Sequence, residues 1–239
     1  MAAAPSFHRL ARHGDGHAAT APRGRAPLAP LPRHADAAAD QRHRRMAVIL
    51  GAYAAAAVVA AGGAAVLGRD PLACEAWLGI GGAAAALVSA GAGVMLAAVV
   101  VAGTRRVVRR AAWARALHAG LRPAVHGTGD AWLIAVALAS AVGEELLFRG
   151  LLVPLLGVVA SSLLFGALHQ MRGRARWGWV AWATLMGLAL GALFAATGSL
   201  VGPIVAHAIV NGANLRFLRD HDPAPRRRKL GGLLQRDAV

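Results

Sequence analysis

Residues 131–150 read AWLIAVALASAVGEELLFRG, an apolar run that takes two adjacent carboxylates, Glu144 and Glu145, and then Arg149 into what must be a buried setting. The run starts near Asp130, continues through Phe148 towards Pro154, and is long enough to predict one membrane-spanning helix. An ionised side chain at the bilayer centre costs about 2.5–3.5 kcal/mol even on lenient insertion scales, so carboxylates there default to functional candidates. Glu145 and Arg149 stand four residues apart with the acid first, the favourable order for an ion pair along a helix. That pair has a purely structural reading. It leaves Glu144 over, and a partly desolvated carboxylate beside a like charge suits a general base near neutral pH.

Outward from this run, the chain of 239 residues is 57% hydrophobic with a mean hydropathy of +0.50, more apolar surface than a soluble domain of this length can hide. The net charge of +15 raises nucleic acid as a partner, but the placement of the charges argues for a lipid bilayer and against nucleic acid. Of 26 Lys and Arg residues, 24 lie in 1–45, in 104–129, in 170–176 and from Arg216 onward; the exceptions are Arg69 and Arg149. Basic segments of this kind set membrane orientation and face anionic headgroups. One cysteine, Cys74, excludes an intrachain disulfide and a cysteine-based metal site.

The remaining runs predict an all-α membrane bundle of about six spans. Residues 1–45 form an Ala-, Pro-, Arg- and His-rich basic tail, expected to be disordered, whose five irregularly spaced histidines argue against a metal site. Spans follow at about Met46–Leu67, Ala76–Gly103, Asp130–Pro154, Val158–His169, Trp177–Thr197 and Leu200–Leu218. Between the second and third, Arg105 to Arg110 followed by Trp113 and Leu117 reads as an interfacial amphipathic helix. The domain reading is 1–45 tail, 46–130 two spans with that helix, 131–218 functional core and 219–239 basic tail. Six spans put all four basic segments on one side, so both termini are expected in the cytoplasm, in a cell membrane.

Three further polar groups fall inside these spans. His169 lies about 18 Å along the fourth run from Gly157, and His207 about 13 Å along the sixth from Gly198, at 1.5 Å per residue. Glu144 lies about 21 Å from Asp130, a comparable depth once helix tilt is allowed. Asn211 follows His207 by one turn and shares its face. Alone, a span histidine or asparagine is an interhelical hydrogen bond. Together with Glu144 and Glu145 they make a candidate site drawn from three spans.

At these residues the sequence resembles the CAAX protease and bacteriocin-processing family of intramembrane peptidases, which includes the type II CAAX prenyl endopeptidases. The motifs are Glu144-Glu145-Leu146-Leu147-Phe148-Arg149, Phe165-Gly166-Ala167-Leu168-His169 and His207-Ala208-Ile209-Val210-Asn211, and Gly198 to Ile204 is similar as well. The resemblance covers about residues 131–215. It implies peptide-bond hydrolysis in which Glu144 and His169 activate water, His207 and Asn211 form an oxyanion hole, and Glu145 and Arg149 brace them. The implied substrate is a membrane-associated peptide or protein. Glu144, His169 and His207 are also of zinc-ligand type, but no His-Glu-x-x-His helix is present, and the resemblance leaves a metalloprotease chemistry open. A non-catalytic immunity factor or scaffold of the same fold is the other reading, and a transporter ranks behind both. Glu144 and His169 are separated by 25 residues, leaving little more than Pro154–Val158 to connect their helices.

Overall fold

The computed structural model describes residues 32–173 and 175–223, so the expected basic tails over 1–31 and 224–239 lie outside the described residues. By its contacts the chain divides into residues 1–41 and 42–239; of the first, only the opening turns of a helix are described. The described residues form helices α1 (Pro32–Val66), α2 (Gly82–Arg110), α3 (Ala112–Leu121), α4 (Asp130–Glu145), α5 (Val153–Leu168), α6 (Arg176–Thr197) and α7 (Val201–Asp220). A π-helical turn, Leu146–Leu152, joins α4 to α5, and a 3-10 turn, Arg122–Ala124, follows α3. The all-α class agrees with the sequence reading.

Helix α1 starts well ahead of Met46, because the Ala-rich stretch behind Pro32 has high helix propensity and proline is tolerated in a first helical turn. Helix α2 starts later than expected, after the Gly79-Ile80-Gly81 stretch, and carries Arg105–Arg110 in its last turns. The amphipathic element is therefore α3 alone, set off by the extended backbone of Ala111.

Among the described residues, four helical stretches are long and apolar enough to cross a membrane: Arg44–Val66, Gly82–Arg110, Asp130–Leu168 and Arg176–Thr197. Six spans were expected, and the two departures have physical reasons. Asp130–Leu168 is continuous in composition, but it folds back at Gly157, whose φ of 80° and ψ of 166° belong to a region that is essentially glycine's alone. The Ser161 hydroxyl donates to the Phe148 carbonyl at 3.0 Å and the Phe148 and Phe165 rings meet edge to face at 4.8 Å. In a straight helix Phe148 and Ser161 would lie about 20 Å apart. Helix α7 carries His207, Asn211, Asn214, Arg216 and Arg219, which take it below the apolarity of the others.

Small residues bring the helices together. On α2, Ala85, Ser89, Gly93 and Ala97 form a buried stripe four residues apart, and α7 packs along it so closely that a Cβ on Gly93 would overlap Gly202. The buried Ser89 hydroxyl donates to the Ser199 carbonyl (2.9 Å) and accepts from Thr197 (2.9 Å) and the Gly202 amide (3.0 Å), fixing the α6–α7 turn against α2. At the other end α3 closes on the C-terminus of α7. His118 donates through Nε2 to the His221 carbonyl at 2.9 Å and meets Phe217 edge to face at 5.0 Å, and burial favours its neutral form. Large apolar side chains such as Val58, Val94, Met95, Leu138, Val159 and Leu163 face outward, as a lipid-facing surface requires.

Candidate active site

The centre of the site lies where α4 passes into the π turn. The widened turn rotates Arg149 inward, and Glu145 and Arg149 are both fully buried, at 0% and 1% exposure. Arg149 donates to Glu145 Oε1 at 2.9 Å and to the Gly187 carbonyl of α6 at 3.2 Å, and its guanidinium lies 4.7 Å over the Phe165 ring. The ion pair expected from sequence is present, with two further supports from other helices.

His207 of α7 reaches the same carboxylate. Its Nδ1 lies 2.6 Å from Glu145 Oε1, and its Nε2 lies 3.7 Å from Glu144 Oε2. Glu145, ionised by Arg149, only accepts, so Nδ1 of His207 carries a proton and donates it. Glu145 is thus the anchor of both Arg149 and His207, and Glu144 faces the other ring nitrogen.

His169 closes α5. Its Nδ1 lies 2.7 Å from the Phe165 carbonyl, which accepts only, so in the neutral ring Nε2 bears the lone pair. The ring rests 4.4 Å from Phe165 and 5.7 Å from Trp179, and Phe165 in turn lies 6.4 Å from His207. The two imidazoles are therefore no further apart than the two distances to Phe165 together. Asn211 donates to the Ser140 hydroxyl at 2.9 Å; Ser140 stands one turn before Glu144 on α4.

Glu144, His169, His207 and Asn211 all line one cavity of about 510 Å³. The fold-back at Gly157 is what brings His169 to it despite the short connection. From these polar groups the cavity runs past Met186 and Leu190 to Trp113 and Leu117 of α3 and Phe217 of α7, so most of its wall is apolar. Direct contacts join Glu144, Glu145, Arg149 and His207; His169 and Asn211 share the cavity but bond to their own neighbours. Among the described residues no three of His, Cys, Asp and Glu gather as a metal-ligating group.

Two participants were not singled out from the sequence. Ser140 holds Asn211, and its spacing of four from Glu144 was the available signal. Tyr53 of α1 lines the cavity together with Glu144, whose charge acts on the phenol. Its signal was a lone polar hydroxyl in an Ala-rich span.

Comparison with known proteins supports the motif reading over the same part of the chain. Residues 129–213 match the family described as type II CAAX prenyl endopeptidase Rce1-like. The uncharacterized protein YpbD of Bacillus subtilis (strain 168) is 37% identical over 79 residues, 33% of this chain. The chain spans 41% of the length of that relative. No solved structure matches. Residues 129–213, the segment that holds Glu144, Glu145, Arg149, His169, His207 and Asn211, thus match the Rce1-like family model, consistent with the CAAX-type resemblance of the three motifs.

Proposed function

We propose that the protein is an integral membrane endopeptidase that hydrolyses a peptide bond of a membrane-associated peptide or protein, using Glu144 as the base. The observation that carries this reading is His207, held by Glu145 through Nδ1 at 2.6 Å and presenting Nε2 to Glu144 at 3.7 Å inside a shared cavity.

Charge balance gives the working state. Glu144, Glu145 and Arg149 together carry one net negative charge when all are ionised, and burial makes that charge costly. One proton shared between Glu144 and His207 neutralises the cluster. With the proton on His207, Nε2 is a donor and Glu144 a free carboxylate. A water placed between Glu144 and the His169 Nε2 lone pair loses its proton to Glu144 as its oxygen attacks the scissile carbonyl. The oxyanion takes hydrogen bonds from His207 Nε2–H and the second Nδ2–H of Asn211. Collapse of the tetrahedral intermediate breaks the C–N bond, and the proton on Glu144 passes to the leaving amine. A dry, largely apolar wall strengthens each of these interactions.

In the membrane, we assign six passes, counting the two arms of Asp130–Leu168 and α7 separately. This places both termini and all four basic segments in the cytoplasm of a bacterial cell. The test is cleavage of membrane-anchored peptides in proteoliposomes. Glu144→Gln keeps the side-chain shape and is expected to lower kcat by about 10²–10⁴. Equal turnover by wild type and variant sinks the reading.

A further inference from the structure

We propose that Tyr53, from the first helix, is a positioning residue of this site, its hydroxyl donating to the Glu144 carboxylate and fixing the rotamer in which Glu144 meets water. The inference rests on the endopeptidase reading and extends it to a part of the chain outside the Rce1-like segment, which spans residues 129–213.

Three observations converge on it. The face of α1 turned to the protein is a stripe of Tyr53, Ala56, Ala57, Ala60, Gly63 and Ala64, with Ala60 and Ala64 fully buried, while the residues between are exposed. Along that stripe Tyr53 is the single side chain with a polar group. Second, the two backbones approach at this level: a Cβ on Gly143, the residue before Glu144, would collide with the Tyr53 carbonyl. Such an approach fixes the height of Tyr53 against α4, level with the carboxylates, and its side chain lines their cavity. Third, Tyr53 and Glu144 line the same cavity as His169, His207 and Asn211, and the Glu144 charge acts on the Tyr53 hydroxyl.

The chemistry explains why a tyrosine belongs there. Glu145 is held by Arg149 and His207, whereas Glu144 has His207 Nε2 only at 3.7 Å, too long for a direct hydrogen bond. Without the phenol, the carboxylate would be free to rotate among several rotamers. A phenolic O–H is a neutral donor, so it holds one oxygen without adding a charge to a cluster balanced by a single proton, and it leaves the other oxygen to the water.

Tyr53 is the sole tyrosine of the chain, which supplies a test that needs no activity. Protein labelled with [Cζ-13C]tyrosine in detergent micelles gives one resonance. It is expected to move in Glu144→Gln and to stay in place in Glu75→Gln, an exposed loop carboxylate. An unmoved resonance in Glu144→Gln overturns the inference. In proteoliposomes, Tyr53→Phe is expected to lower kcat about 10-fold with KM within about twofold. In the Glu144→Gln background it should add no further loss. Full kcat in Tyr53→Phe, or a raised KM with kcat intact, overturns positioning while the endopeptidase reading stands. Equal cleavage by wild type and Glu144→Gln overturns both.

Discussion

Arg149 makes three contacts that no neighbouring side chain can replace: Glu145 at 2.9 Å, the Gly187 carbonyl at 3.2 Å and the face of Phe165 at 4.7 Å. Its substitution by methionine keeps the volume and strands a carboxylate that is 0% exposed. Arg149→Met is therefore expected to lose about 3–5 kcal/mol of stability, read as thermal denaturation in detergent. Glu145→Gln/Arg149→Met should recover most of that loss, because no buried charge remains uncompensated. Cleavage should stay depressed by about 10- to 100-fold in the double variant, because His207 loses its charged anchor. A double variant as unstable as Arg149→Met alone would contradict this account. The Glu145–Arg149 pair was legible in the sequence because helical spacing alone decides it. The convergence of His207 on Glu145 was not, since it depends on how α7 is rotated against α4, and Tyr53 comes from a helix with no motif at all.

At the scale of elements, the apolar stretch Asp130–Leu168 shows how composition hides a turn. Both arms are apolar; Pro154 and Gly157 fall between them, and Gly143, Gly150 and Gly166 fall within them without turning the chain. Gly157 was readable as a turn because glycine alone is at ease with φ 80° and ψ 166°; the π turn at Leu146–Leu152 has no comparable sequence mark. Both matter to the site, the first by returning α5 so that His169 reaches the cavity, the second by rotating Arg149 inward. Gly157→Ala adds a Cβ where nothing lies within 4 Å, so its cost is conformational alone, about 1–3 kcal/mol. The expected outcome is a lower melting temperature in detergent, with kcat falling as His169 leaves its place beside Phe165. An alanine variant with wild-type melting and turnover would show that the fold-back does not depend on this backbone conformation.

At the scale of the molecule, the basic segments and the fold-back together carry the proposed topology. If the arms of Asp130–Leu168 entered and left on opposite faces, the 170–176 loop would lie across the membrane from the 104–129 segment. The fold-back instead returns Leu168 to the side of Asp130, and α3 meets His221 at the end of α7 on that same side. The loop 68–81 is laced to the opposite end: Cys74 N donates to the Gly198 carbonyl at 3.1 Å and Leu200 N to the Leu72 carbonyl at 2.9 Å. Glu75 and Arg172, both exposed, should accordingly face opposite compartments. In a Cys74→Ala background, Glu75→Cys is expected to react with a membrane-impermeant maleimide in intact cells. Arg172→Cys should react only after the membrane is opened, because the proposed topology keeps the positive segments inside. Labelling of both from outside would break the six-pass arrangement. It would also move the apolar end of the cavity, lined by Trp113, Leu117 and Phe217, to the outer face.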